Sequence, residues 1–404
     1  MKKRVIVFLL FASFAANAFA QHVSPPWWLS LEFGKQRFRS GDYGSALMLF
    51  EDARRDRRAM YEQMERDIIS LLSLGDVRRI GDSLDRVEQY SYDRHYTSAS
   101  AAFEEIYYRI GRSSLGNSAN AALTAAGKLK DYPEAEYWIG EVYRIEGELS
   151  LALSQYRRAN AMRDNLENPD FYITLLYKIS DIHRIRQEYN DMIRVLDLII
   201  SDVDTLWANA RLAQANVYTD ARGNVVSAPY EQASASFART SMINILENEG
   251  INRFLELYRY NNINVEQAHR LIGFHYAVTG LPSAQDHLMF AFLIQNTVII
   301  EELMRRQFDF RFTTNPERRE NYVHNLIELA AAMNNNHLLQ SFIIEVEYYK
   351  TAYYFAASLF RNGKASVART LWEFLATQPQ AGEWHSRALS QLRNPRFEIL
   401  VEMP

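Results

Sequence analysis

Gly140–Ala159, read as GEVYRIEGELSLALSQYRRA, carries the pattern that decides the fold. Taking Gly140 as zero, Tyr143, Gly147, Leu149, Ala152, Tyr156 and Ala159 fall at offsets 3, 7, 9, 12, 16 and 19. Gly140 and Tyr143 share one helix face, and the last three positions repeat at intervals of four and three along a second face. Gly147 stands between the two stripes, where a tight helix-to-helix turn calls for a positive φ. Gly140, Ala152 and Ala159 are small enough for two helices to approach closely, and Tyr143 and Tyr156 fill the space beside them. The stretch predicts one antiparallel helical hairpin. A single hairpin cannot cover its own apolar faces, so others should stack on it.

The ladder recurs. Gly34, Gly41, Tyr43, Ala46, Phe50 and Ala53 repeat it, with Arg37 at the third offset. Ile68, Leu71, Gly75, Val77, Ile80, Leu84 and Val87 follow 34 residues later. Ser180, His183, Gln187, Tyr189, Met192, Leu196 and Ile199 form a blurred copy, and Ala356, Leu359, Gly363, Ala365, Ala368, Trp372 and Leu375 a late one. Gly273, Tyr276 and Gly280 begin a further copy, closed by Ala284, Leu288 and Ala291 with one residue fewer in the turn. This ladder and its 34-residue spacing resemble the tetratricopeptide repeat, over roughly half the chain. The resemblance implies an all-α fold: a right-handed superhelical solenoid of antiparallel helical hairpins, with no sheet beyond a short ribbon. It also implies that the first helix of each hairpin lines a concave groove for a partner. On that reading Tyr137, Glu141 and Arg144 face the groove from one hairpin, and Tyr177, Asp181 and Arg184 from another. The two triplets match type for type, although acid and arginine three apart also suit a pair along the helix surface. The lysine and asparagine pattern by which cytosolic members of the family clamp a terminal carboxylate is reduced here to Lys35, so binding of such tails is not expected.

Composition agrees with a helical chain. Of 404 residues 48% are hydrophobic, with 16 glycines, 10 prolines, 24 tyrosines and 22 phenylalanines. Scarce proline and glycine favour long helices, and aromatic rings suit wedges between small residues. Residues 21–219 are expected to form an N-terminal helical array that begins at Trp27-Trp28, and residues 230–404 a C-terminal one. Between them, 220–229 (DARGNVVSAP) has no helical period and is expected to be an irregular connector. Helices are expected over 98–111, 118–129, 207–221, 230–249, 252–260, 317–334, 337–360, 365–376 and 384–392. An irregular aromatic insertion is expected near 305–320, where Phe308, Phe310 and Phe312 alternate with Asp309 and Arg311 in a strand-like period. It has two readings: an aromatic loop packed on the convex side, or an edge that a partner strand could extend.

The N-terminus reads as an export signal. Met1–Arg4 is basic, Val5–Phe14 is apolar, and Ala18-Phe19-Ala20 is a small-x-small cleavage site. Removal of residues 1–20 would leave 42 basic against 49 acidic residues, a net of −7. A mildly acidic, exported chain does not suit nucleic-acid binding. With no cysteine, the chain carries no disulfide, no thiol nucleophile, no cysteine-ligated zinc and no acylated cysteine. Phe290–Ile300 is the most apolar later segment, ended by Glu301 and Glu302, so no transmembrane span is expected after cleavage. The cluster Arg54, Arg55, Arg57 and Arg58, interleaved with Asp52 and Asp56, reads as a solvated helix face.

Chemistry is sparse. The phosphate loop, the H-E-x-x-H pair, the G-x-S-x-G elbow and the calcium loop are all missing. His269 and His275 are six apart and point away from a common face, and His183 reads as a partly buried histidine with a backbone partner. Neither catalytic residues nor a metal or cofactor are expected. The expected role is a non-catalytic periplasmic scaffold that holds other envelope proteins, with no nucleic-acid partner and no transmembrane segment; peripheral membrane association is compatible with it. Exported members of the family serve outer-membrane assembly, peptidoglycan machinery, secretion and the spirochaete flagellar-motor collar. A periplasmic chaperone or sensor for peptide or glycan, and a hydrolase with an unrecognised site, are the alternatives.

Overall fold

The computed structural model describes residues 26–74, 127–207, 218–219, 225–226, 235–307, 310–315 and 322–397. These hold 15 α-helices and two small two-stranded ribbons, so the protein is all-α. The expected export signal (residues 1–20), residues 98–111 and the ladder positions from Gly75 to Val87 lie outside the described residues.

Each of the five ladders that fall within them turns in one way. The residue at the seventh offset has a left-handed backbone: φ is +82° at Gly41, +83° at Gly147, +76° at Gly280 and +80° at Gly363. Gln187 takes the same conformation at +58° without being glycine. One residue on, a backbone N–H donates to the carbonyl at the third offset. These bonds run Asp42 to Arg37 (3.0 Å), Glu148 to Tyr143 (2.9 Å), Glu188 to His183 (2.8 Å), Leu281 to Tyr276 (2.8 Å) and Lys364 to Leu359 (2.9 Å). This closure satisfies a carbonyl that the helix end would otherwise orphan.

The glycine at offset zero is then explained by contact. A Cβ on Gly34 would lie 2.5 Å from the Phe50 ring, and one on Gly140 would lie 2.7 Å from the Tyr156 ring. On Gly273 it would lie 2.7 Å from Leu288, one offset earlier, as the shortened turn requires.

The chain divides into two compact units, Met1–Glu188 and Tyr189–Pro404. The sequence placed its boundary at 220–229, some thirty residues later. There, β1 (Tyr218–Thr219) and β2 (Val225–Val226) pair antiparallel, with Tyr218 opposite Val226. The helix expected over 207–221 therefore does not reach Tyr218: β-branched and aromatic residues on both sides of Gly223-Asn224 favour a strand pair.

In the first unit α1 (Trp27–Arg39) and α2 (Tyr43–Leu74) form one hairpin, and α3 (Pro133–Ile145) and α4 (Leu149–Ala161) the next. α5 (Phe171–Ile185) packs on α4. Asp42 caps α2 by accepting the Ser45 N–H at 3.2 Å, and Pro133 opens α3. α2 packs directly on α3, and Trp27, Leu31, Phe50, Tyr132, Ile139 and Val142 share one core. Two hairpins that are not consecutive in sequence are therefore stacked. α2 also runs unbroken through Ile68 and Leu71, so the ladder expected to open a separate hairpin there continues the preceding helix.

The second unit holds α6 (Tyr189–Trp207), α7 (Ala235–Asn248), α8 (Gly250–Leu257), α9 (Ile263–Thr279) and α10 (Ala284–Arg306). After the insertion come α11 (Leu326–Asn334), α12 (His337–Glu345), α13 (Tyr348–Arg361), α14 (Ala365–Ala376) and α15 (Glu383–Arg393). Hairpin α9–α10 packs on hairpin α13–α14 through α10 and α13, again skipping the intervening residues. By length and composition α10 could cross a membrane, but about two thirds of its apolar window is buried in the protein. Leu288, Phe292, Ile294, Ile299 and Ile300 make it the core helix of the unit.

Two expected helices are shorter than their sequence period. In the segment expected to be helical over 317–334, the described residues from Tyr322 on turn helical at Leu326, with Asn325 as N-cap. Asn325 Oδ1 accepts the Glu328 N–H at 3.0 Å, and Glu328 Oε2 accepts the His324 N–H at 2.8 Å. The one expected over 337–360 breaks between α12 and α13, where Glu347 takes φ +48°.

Candidate functional site

The six residues expected to line a groove sit on α3 and α5, and the structure treats the two triplets differently. Tyr137 is only 8% exposed, packed edge-on against Phe171 at 4.8 Å and Trp138 at 5.3 Å. Glu141 is 4% exposed and accepts three hydrogen bonds, from Tyr156 Oη at 2.5 Å, Lys178 Nζ at 2.9 Å and Arg144 Nη2 at 3.0 Å. Burial alone would push its carboxyl up, but the bonds from Arg144, Lys178 and Tyr156 hold it below the ordinary glutamate value. The same burial, reinforced by Glu141, raises the Tyr156 phenol.

The expectation of an open groove at Tyr137 and Glu141 is thus corrected: the two form a strut between α3, α4 and α5. Tyr156, which fills Gly140, also donates to the carboxylate that binds Lys178 of α5. One glutamate therefore locks the hairpin and attaches the next helix.

Arg144, Tyr177, Asp181 and Arg184 remain half-buried, with accessible atoms. Arg184 Nη2 lies 2.6 Å from Asp181 Oδ1, and Arg144 pairs with Glu141, so both arginines do pair along their helix surfaces. Beside them Ile145 and Ile185, each five positions past its ladder zero, are 39% and 48% exposed. The accessible part of this face is apolar at its edge and rich in arginine, with a tyrosine between.

The aromatic insertion faces inward. Phe310 and Phe312 are buried, and Phe308 lies outside the described residues. β3 (Arg311–Phe312) does form a strand, as its alternation predicts, and pairs parallel with β4 (Tyr322–Val323), Phe312 opposite Val323. Glu256 of α8 anchors the segment, accepting from Thr314, from Thr313 Oγ1 at 2.7 Å and from Arg253 Nη1 at 2.6 Å. Burial raises the Glu256 carboxyl, and the Thr314, Thr313 and Arg253 bonds together bring it below its ordinary value. Of the two readings of this stretch, burial of Phe310 and Phe312 fits the packed aromatic segment and not an open edge for a partner strand.

Two further expectations change. His183 is buried, but its partner is a side chain: Nδ1 lies 2.6 Å from Glu188 Oε2, and Nε2 lies 3.3 Å from Arg157 Nη2. A carboxylate only accepts and a guanidinium only donates, so the geometry fits the neutral Nδ1–H tautomer. Arg57 is not on a solvated face. Its guanidinium sits 4.4 Å from the Tyr132 ring and 4.8 Å from Trp27, and Nε donates to the Leu129 carbonyl at 2.8 Å. Arg54 pairs with buried Glu136 at 3.1 Å, which leaves Arg55 and Arg58 as the solvated members.

A polar cluster that the sequence did not single out lies inside the second unit. Buried Glu266 accepts from Gln295 Nε2 at 2.6 Å and Arg270 Nε at 2.9 Å. Gln295 also reaches the Val346 carbonyl at 2.9 Å, and Arg270 pairs with Glu347, which Lys350 approaches at 2.8 Å. Burial raises the Glu266 carboxyl against the pull of Arg270. The cluster grips the α12–α13 link at its left-handed residue, a conformation costing about 1–2 kcal/mol without such support. Its signal was the glutamate–arginine spacing of four on α9, common on any exposed helix.

No protein-family profile matches the chain. A protein of Treponema pallidum (strain Nichols), described only as uncharacterized, is 22% identical over 368 residues, 91% of this chain and 89% of that protein. The two sequences thus align along nearly their whole lengths.

Proposed function

We propose that the protein is a non-catalytic, exported scaffold that joins other proteins of the cell envelope, built as a tetratricopeptide-like array and working in the periplasm. The observation that carries this reading is the recurrence of one hairpin geometry: five left-handed turns closed by one backbone bond, at the ladder positions of unrelated stretches of chain. Such repeats hold accessible side chains of successive first helices in a constant register, which suits extended contact with a protein partner. The contact residues of this proposal are Arg144, Tyr177, Asp181 and Arg184 with the exposed Ile145 and Ile185. Tyr137 and Glu141 hold the surface from beneath. Tyrosine and arginine supply most interface hot spots, and isoleucine adds apolar area around them. A relative of matching length in Treponema pallidum favours, among the envelope settings, one found in spirochaetes.

The test is site-specific photocrosslinking in the native envelope. Probes at Tyr177 and Ile185 should give one discrete crosslinked partner. Tyr177→Ala with Arg184→Glu should abolish that product and weaken association by about 2 kcal/mol or more. The thermal unfolding of the double variant should match that of the parent. Unchanged crosslinking, or a discrete product from probes at Leu338 and Ile344 alone, would refute this face as the contact surface.

A further inference from the structure

We propose that His269 and His287 form a transition-metal site joining α9 to α10. The two imidazoles meet across the hairpin with their Nδ1 atoms 3.1 Å apart. His269 lies one turn before Gly273, where the two helices approach closely, and is buried; His287 precedes Leu288 and stays half-exposed. Packing outside the pair sets both ring planes. Phe290 stacks on His269 at 5.1 Å with planes 19° apart, and Tyr276 meets His287 edge-on at 5.6 Å. The two Nδ1 atoms therefore face each other between rings that are packed on their outer sides.

Two nitrogens about 2.0–2.1 Å from a tetrahedral metal stand roughly 3.3 Å apart. The observed separation reaches that value with a shift of a few tenths of an ångström. Imidazole suits zinc, copper and nickel, and the solvent-facing side at His287 leaves room for water in the remaining positions. In the metal-bound state both rings are neutral and carry their proton on Nε2. The ring that donates Nδ1–H in the metal-free pair passes that proton to Nε2 through solvent. The neighbouring cation Arg270 does not oppose an ion here, because its guanidinium is paired with Glu266 and Glu347. The helices meet in one place, so a bound ion would staple the hairpin that packs on α13.

Zinc and nickel chloride titrated calorimetrically into the mature chain at about pH 7.5 should bind one to one and raise the melting temperature. His287→Gln, at a half-exposed position that folding tolerates, should weaken binding at least about tenfold, as should His269→Gln. His183→Gln, which alters the imidazole–carboxylate pair of His183 with Glu188, should leave it unchanged. Binding should weaken as pH falls, because protons compete with the metal for the imidazole nitrogens. Three results would each overturn the site: no binding at millimolar metal, undiminished binding by His287→Gln, or loss of binding through His183→Gln instead.

Discussion

Glu134, at the start of α3, makes the stability of the first unit depend on pH. Its Oε1 accepts the Glu167 N–H at 2.8 Å, while Oε2 is buried without a hydrogen-bond partner. Burial, then repulsion from Glu167, pushes the carboxyl from 4.5 up to about 7, against the attraction of Arg57. In the unfolded chain it returns to the ordinary value. Between these values the folded protein holds a proton that the unfolded chain has lost, so stability falls as pH rises. The stabilisation is fully present below about pH 4.5 and is gone above about pH 7. A shift of that size corresponds to about 3 kcal/mol, at 1.36 kcal/mol per pH unit. Urea unfolding of residues 21–404, followed by tryptophan fluorescence from about pH 5 to pH 8, measures it. Glu134→Gln keeps the acceptor for Glu167 and removes the titration, so its stability should change by at least about 2 kcal/mol less over that range. Parallel curves for the two proteins would refute the argument, and so would a parent that gains stability as pH rises.

Gly140→Leu should destabilise by about 1–3 kcal/mol, read from the melting transition. The Tyr156 ring that it meets cannot swing aside while its hydroxyl is held by Glu141. An unchanged transition would show that the α3–α4 contact is not where the ladder puts it. Gln187→Gly should stabilise the protein by about 1 kcal/mol, because only glycine takes φ +58° freely; a loss of stability in the same assay would count against strain at that turn.

The chain by itself determined the left-handed turns at Gly41, Gly147, Gly280 and Gly363 and the close helix contacts at Gly34, Gly140 and Gly273. A left-handed turn needs glycine or a strained substitute at one position, and close helix approach needs a small residue at another. Both demands are met by local backbone geometry, so Gly147, Gly280 and Gly363 announce their turns, and Gly140 its contact with Tyr156. Tertiary structure alone decided which hairpins stack. α1–α2 lies on α3–α4, and α9–α10 on α13–α14, because apolar faces are buried by whichever surface fits, whatever the number of residues between them. It also decided which polar residues face water. Tyr137 and Tyr177 share a sequence register, yet Phe171 covers the first and leaves the second accessible. Arg57 looked solvated beside its acidic neighbours until Trp27 and Tyr132 closed over it. His269 and His287 stand eighteen positions apart on two helices, and no periodicity along either one records that they meet. Burial, and with it the charge and reach of a side chain, is set by atoms from distant parts of the chain, and only the folded molecule brings those together.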